Sequence, residues 1–139
     1  MRLLVDTSVW SLALRRDHPK RNRHVRRFHQ ALVDGDVVLT GVVLQELLQG
    51  LVEGPTKDRL VAELAKLSLL VPSRDDHLLA AEISTTCRRH GVQLATVDAL
   101  LAALCVRRDL VLLSTDKDFV HAARHVNLVI WPDNPDDRR

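Results

Sequence analysis

The sequence predicts an α/β domain with a parallel sheet covered by helices on both faces. Short, continuously apolar segments alternate with longer segments of helical periodicity, the pattern of strands buried on two sides. The hydrophobic fraction is 46%, supplied mainly by Leu, Val and Ala, while aromatic residues make up only 3% of the 139. An all-β domain would be richer in Tyr, Phe and Trp. Carboxylates also stand at or just past the ends of apolar segments, at Asp6 and Asp116. In open parallel sheets that edge is where ligands bind.

Leu3 to Val5 reads as a first buried strand, with Thr7 or Ser8 placed to cap a helix running through Trp10 and Leu14. A basic amphipathic helix follows from about Arg21 to Val33, with Val25, Phe28, Ala31 and Leu32 on one face. Asp34-Gly35-Asp36 stops it, and Val37 to Leu39 is a second strand. Thr40-Gly41 opens a helix whose Val43, Leu44, Leu47, Leu48 and Leu51 face inward, closed by Gly50. Gly54-Pro55 starts the next, to about Lys66, and Leu69 to Val71 is a third strand. Helices over Asp75 to His90 and Thr96 to Arg108 precede the clearest strand, Leu110 to Leu113. A short helix at Phe119 to Ala123 and a last strand at Leu128 to Ile130 complete the domain, assigned to residues 1–132. Residues 133–139 form a polar tail.

Several classes are set aside by composition. No stretch approaches the 18 or more apolar residues of a membrane span. The N-terminus meets Asp6 before any long apolar run, so it lacks the core of a signal peptide, and a cytoplasmic location is expected. Cys87 and Cys105 are too few for a four-ligand zinc motif and read as small core hydrophobes. The net charge is only +2, but it is uneven. Arg15, Arg16, Lys20, Arg21, Arg23, Arg26 and Arg27 cluster against the single acid Asp17, which leaves the remaining chain net acidic. A patch of that density attracts polyanions, although a solvated helix face has the same appearance.

Four carboxylates carry the chemistry. Asp6, Glu46, Asp98 and Asp116 lie on the boundaries of apolar segments or within them, 40, 52 and 18 positions apart. A buried ionised carboxylate needs a partner. If the fold gathers four of them, a divalent cation is the natural counter-charge. Each also has a plainer explanation. Asp6, Asp98 and Asp116 stand at helix starts, where an acid caps or favours the positive helix end, and Glu46 serves equally on a wet helix face.

These residues lie in Leu-Leu-Val-Asp6-Thr-Ser-Val-Trp, Leu-Gln-Glu46-Leu-Leu-Gln-Gly, Asp98-Ala-Leu-Leu-Ala-Ala-Leu and Leu-Ser-Thr-Asp116-Lys-Asp118-Phe. In that order and spacing the chain resembles the PIN-domain ribonucleases, in particular the VapC toxins of bacterial toxin–antitoxin pairs. The resemblance implies a three-layer sandwich with a central five-stranded parallel sheet. It implies an acidic pocket of Asp6, Glu46, Asp98 and Asp116, with Ser8 and Ser114 as polar support and Asp118 as a further carboxylate. It also implies Mg²⁺- or Mn²⁺-dependent RNA hydrolysis, a homodimer, and an antitoxin partner packing over the helices near Trp10 and Leu47. The basic block from Arg15 to Arg27 would then hold the RNA backbone. Trp10, Phe28, Phe119 and Trp131 read as packing residues, so little base stacking is expected. One departure is Arg107-Arg108-Asp109, where a glycine is common in the family.

Two other classes compete. A phosphotransfer domain also places an aspartate after its first strand. The haloacid-dehalogenase type wants a second acid two residues on, where this chain has Ser8. The receiver type wants an acceptor aspartate after its third strand, where the chain runs Leu69-Leu-Val-Pro72. A non-catalytic RNA- or protein-binding module on the same fold is the second rival.

Overall fold

The computed structural model describes residues 1–15 and 22–132. Its elements are β1 (Leu3–Val5), α1 (Thr7–Leu14), α2 (Arg23–Asp34), β2 (Val37–Thr40), α3 (Gly41–Gln49) and α4 (Pro55–Leu64). β3 (Leu69–Leu70), α5 (Arg74–Arg89), α6 (Thr96–Arg108), β4 (Val111–Leu113) and α7 (Lys117–Ala122) follow.

The four strands form one parallel sheet in the order β3-β2-β1-β4. Leu3, Leu4 and Val5 are all fully buried, and successive strand residues point to opposite faces, so helices cover both sides of the sheet. The expected fifth strand shrinks to a single bridge between Ile130 and Leu112. Leu112 N–H donates to Val129 O and Trp131 N–H to Leu112 O, both at 2.9 Å. Among the described residues the pairing stops at that one bridge.

Sequence chemistry explains most element ends. Asn22 caps α2 by accepting from the His24 and Val25 amides, which starts that helix two residues later than its apolar periodicity suggests. Gly35 ends it with φ of 73°, a left-handed conformation that favours glycine. Val25, Phe28 and Ala31 are buried as expected, but Leu32 at the flank of the stripe is exposed. After Leu64, the Lys66 and Leu67 amides reach back only three residues, so α4 tightens into turns before Lys66. Asp109, in the place where the family favours glycine, takes φ of 52° at the end of α6, a region aspartate tolerates better than most residues.

The core centres on α6. Residues Ala99 to Cys105 are buried without interruption, because α6 is enclosed between β4 and α5. On α5, Ala80, Ile83 and Cys87 face it at helical spacing. Trp10 meets Phe28 edge-on, with ring centroids 4.6 Å apart, and ties α1 to α2. Cys87 and Cys105 are buried free thiols, and burial raises the pKa of both. No described helix is long and apolar enough to cross a membrane.

Candidate functional site

The site forms where β1 and β4 end side by side. Asp6 N–H donates to Leu113 O at 3.0 Å, which extends the β1–β4 pairing to the last strand position. Asp6 occupies the N-cap position of α1, but its side chain makes no capping bond. Thr7 and Ser8 lie inside α1, so neither is the cap expected of them.

The Asp6 carboxylate is nearly buried, and its Oδ2 accepts from two hydroxyls, Ser114 at 2.8 Å and Ser8 at 2.9 Å. Each hydroxyl is itself oriented by a backbone amide. Thr115 N–H donates to Ser8 Oγ at 3.2 Å, and Asp116 N–H to Ser114 Oγ at 3.0 Å. With an amide filling each oxygen from behind, both hydroxyl protons point at the same carboxylate oxygen. A network from two strand ends thereby fixes the Asp6 group.

The other acids arrive on helices. Thr40 caps α3 through the Val43 amide, and α3 carries Glu46 on an exposed position. Asp98 is the third residue of α6 and half-buried; the N-cap, Ala95, offers no side-chain acceptor. Asp116 caps α7 by accepting from Asp118 N–H at 2.9 Å, so the capping explanation holds for this residue. Asp118 is exposed in the first turn of α7.

The charges of these acids act on one another. Burial, then the charges of Asp6, Asp116, Glu46 and Asp118 in that order, push the Asp98 pKa up to about 6. Burial and the charge of Asp6 raise that of Glu46. The fold therefore brings Asp98 within range of the other four acids, and Glu46 within range of Asp6. Among the described residues none of the five is ion-paired with a Lys or Arg; the ion pairs there involve Glu53, Glu63, Asp75 and Asp76. Nor do any three described His, Cys, Asp or Glu side chains converge closely enough to cage a metal ion as they stand. The donor set is all carboxylate, which suits a hard divalent cation. Mg²⁺ in particular is held by one or two carboxylates and keeps several waters. The residues fit such an ion without a closed cage.

The basic block is only partly in view. Arg16, Lys20 and Arg21 fall outside the described residues. Arg15, at the end of α1, and Arg23 and Arg26 on α2 are exposed, and Arg27 is half-buried. Of the four aromatics assigned to packing, Trp10, Phe28 and Phe119 are buried, but Trp131 is only partly so and has Arg23 over its ring.

Sequence reasoning missed one carboxylate cluster altogether. Asp76, fully buried at the start of α5, accepts from Arg107 at 2.6 Å and Arg108 at 2.7 Å. It also accepts from the Ser73 amide and hydroxyl in a capping box. Burial alone would raise its pKa, but hydrogen bonds from Arg108, the Ser73 amide, Arg107 and the Ser73 hydroxyl hold it far below the usual range. Ser73-x-x-Asp76 was the visible signal; the arginines, 31 and 32 residues away, gave none.

Comparison with known proteins agrees with this architecture. Three solved structures of similar fold are VapBC2 from Rickettsia felis bound to a DNA fragment from its promoter, VapBC-1 from nontypeable Haemophilus influenzae, and VapC20 from Mycobacterium tuberculosis, a sarcin–ricin loop cleaving toxin. The first is 18% identical with a TM-score of 0.71, covering 94% of this chain and 97% of that one. The second is 19% identical with a TM-score of 0.71, covering 94% and 96%. The third is 22% identical with a TM-score of 0.63, covering 91% and 98%. No curated protein matches the sequence. The family model of the PIN domain matches residues 3–125, and the chain belongs to the PIN domain family.

Proposed function

We propose that this chain is a metal-dependent endoribonuclease and the toxin of a VapBC-type toxin–antitoxin pair. The observation that carries the reading is the group of carboxylates at the carboxyl edge of the sheet, with no arginine or lysine ion-paired to them among the described residues. Holding acids in mutual repulsion destabilises a fold unless a cation joins them. Membership of the PIN domain family supports hydrolysis of nucleic acid as the use of that cation.

Asp6 and Asp98 are assigned as direct ligands of Mg²⁺ or Mn²⁺, and Glu46 and Asp116 as residues acting through water. When bound, the ion supplies positive charge at the scissile phosphate and acidifies water for attack. Ser8 and Ser114 both donate to Asp6 Oδ2, so Oδ1, which takes neither hydroxyl, would be the oxygen that holds the ion. Glu46 or Asp116 orients the attacking water, and Asp118 adds negative charge that retains the ion. The products would carry 5′-phosphate and 3′-hydroxyl ends.

Arg15, Arg16, Lys20, Arg21, Arg23, Arg26 and Arg27 are assigned to the RNA backbone, giving affinity without sequence choice. A cytoplasmic homodimer neutralised by a VapB-type antitoxin completes the reading. Trp10 and Leu47 are themselves buried, so an antitoxin would meet their neighbours, such as exposed Leu14 and partly exposed Leu44 and Leu48. A basic antitoxin side chain entering the acidic pocket would take the place of the cation.

The alternative is a non-catalytic RNA- or protein-binding module on the same fold. Purified protein incubated with total cellular RNA separates the two. Discrete bands with Mg²⁺ or Mn²⁺, abolished by EDTA and by Asp6→Asn, are expected of the nuclease. Intact RNA from folded, antitoxin-free protein under every condition would establish the binding module.

A further inference from the structure

A second feature beside the acids is built from Arg23, His24 and Trp131. The Ile130–Leu112 bridge and the Trp131 N–H bond to Leu112 O place Trp131 level with Leu113, one strand beyond β4. Ser114, the next residue of that chain, donates to Asp6. Trp131 therefore flanks the acidic site, offset from Asp6 by two strand spacings, roughly 10 Å.

The N-terminus of α2 reaches the same edge. Leu3 N–H bonds Asp36 O just past the end of α2, which fixes that end beside the start of β1. The 12 residues of α2 then rise about 18 Å toward the carboxyl edge. At its first turn the Arg23 guanidinium lies 5.2 Å from the centre of the Trp131 ring, and the His24 ring meets the same indole edge-on at 5.3 Å. Burial and then the charge of Arg23 lower the His24 pKa, so near neutral pH His24 braces the indole as an uncharged ring.

A cation–π contact does not consume the guanidinium N–H groups as hydrogen-bond donors. Arg23 is exposed and, among the described residues, pairs with no carboxylate. Arg26 and Arg27 continue the positive charge one turn along α2. A preordered arginine on a partly exposed indole matches what an unpaired nucleotide offers: a phosphate for the fork and a base for the flat surface. We infer that Arg23 and Trp131 form a prebuilt subsite for one unpaired nucleotide of the RNA flanking the scissile bond. This rests on the nuclease reading and adds to it a contact that is not purely electrostatic.

The test is binding of a short fluorescein-labelled single-stranded RNA to Asp98→Asn protein without metal, read by anisotropy so that cleavage plays no part. Arg23→Ala and Trp131→Ala are each expected to weaken binding about 5- to 30-fold. Arg23→Lys should lose most of that as well, because an ammonium keeps the charge but not the planar fork of donors. Trp131→Phe should retain most of the affinity, which also guards against a folding artefact at that position. Lys66→Ala, beyond the end of α4, should change binding less than about twofold. Unchanged binding in Trp131→Ala would overturn the subsite. So would full rescue by Arg23→Lys, which would reduce Arg23 to a point charge. Cleavage of cellular RNA by the wild type is scored separately. No cleavage together with Trp131-dependent binding refutes the nuclease reading alone, and cleavage with Trp131-independent binding refutes this subsite alone.

Discussion

Two groups of carboxylates in this protein receive opposite treatment. Asp76 is fully buried, yet it accepts hydrogen bonds from two arginines and a serine, and its pKa lies far below the usual carboxylate range. Asp98 is only half-buried, but its neighbours are four more acids, and its pKa rises to about 6. The first arrangement is complete within the chain and locks the start of α5 to the end of α6. The second has no basic partner among the described residues, which is what the proposed cation would supply. Burial alone does not separate a structural carboxylate from a functional one; the sign of the surrounding charge does.

Substitutions at the two groups should separate them in a graded order. The largest effect is expected at the acidic site, where Asp6→Asn should lower the initial rate of metal-dependent RNA cleavage at least ~100-fold, with the fold intact by circular dichroism. Asp76→Ala should leave the acidic site alone but reduce unfolding free energy by about 2 kcal/mol in a denaturant titration. That is below the loss for a fully enclosed pair, because Arg107 and Arg108 are about one-third exposed and can rehydrate. Asp98→Asn should act in the opposite direction. Without metal near neutral pH it should stabilise the protein by about 1 kcal/mol, a value discounted for the partial exposure of the carboxylate.

The pH dependence follows with the signs reversed between the two sites. Asp98 is raised from 3.8 to about 6, so the folded state holds its proton more tightly than the unfolded state. Its contribution to stability is fully present below pH 3.8 and is lost as pH rises through about 6. Asp76 is depressed, so its contribution is present above its unfolded value of 3.8 and is lost as pH falls through the acid range. The pH dependence of metal-free unfolding between about pH 4 and 7 should therefore flatten in Asp98→Asn and keep its slope in Asp76→Ala. The smallest effect belongs to an exposed ion pair that resembles the Asp76 contact in distance only. Lys57 meets Glu53 at 2.6 Å, and Glu53→Gln should change stability by less than about 0.5 kcal/mol in the same titration.

Much of this was legible in the sequence because it is local. Apolar runs flanked by turn residues give the strands, and an acid at or just past the end of such a run stands at the carboxyl edge of a parallel sheet. Asp6 and Asp116 were readable in that way. Whether Glu46 and Asp98 would join them depended on how α3 and α6 pack, and the ordered motifs of the family carried that step. Other features were set by contacts between distant residues. The Asp76 cluster joins residues more than 30 positions apart, and the two serines meet on Asp6 from positions 8 and 114. The fifth strand had the right apolar residues at Leu128 to Ile130, but among the described residues its pairing amounts to one bridge. Trp131 looked like core, and its side chain lies instead under Arg23 at the rim.

If the acids of the site are held apart from any basic partner so that a divalent cation can complete them, the folded protein must bind that cation more tightly than the unfolded chain does. Thermal unfolding of the wild type and of Asp98→Asn against increasing Mn²⁺ tests this without reference to a substrate. The wild-type midpoint is expected to climb with Mn²⁺ concentration, as ligand linkage requires, while Asp98→Asn starts higher and stays flat. A wild-type midpoint indifferent to Mn²⁺, or an equal climb in both proteins, would contradict it.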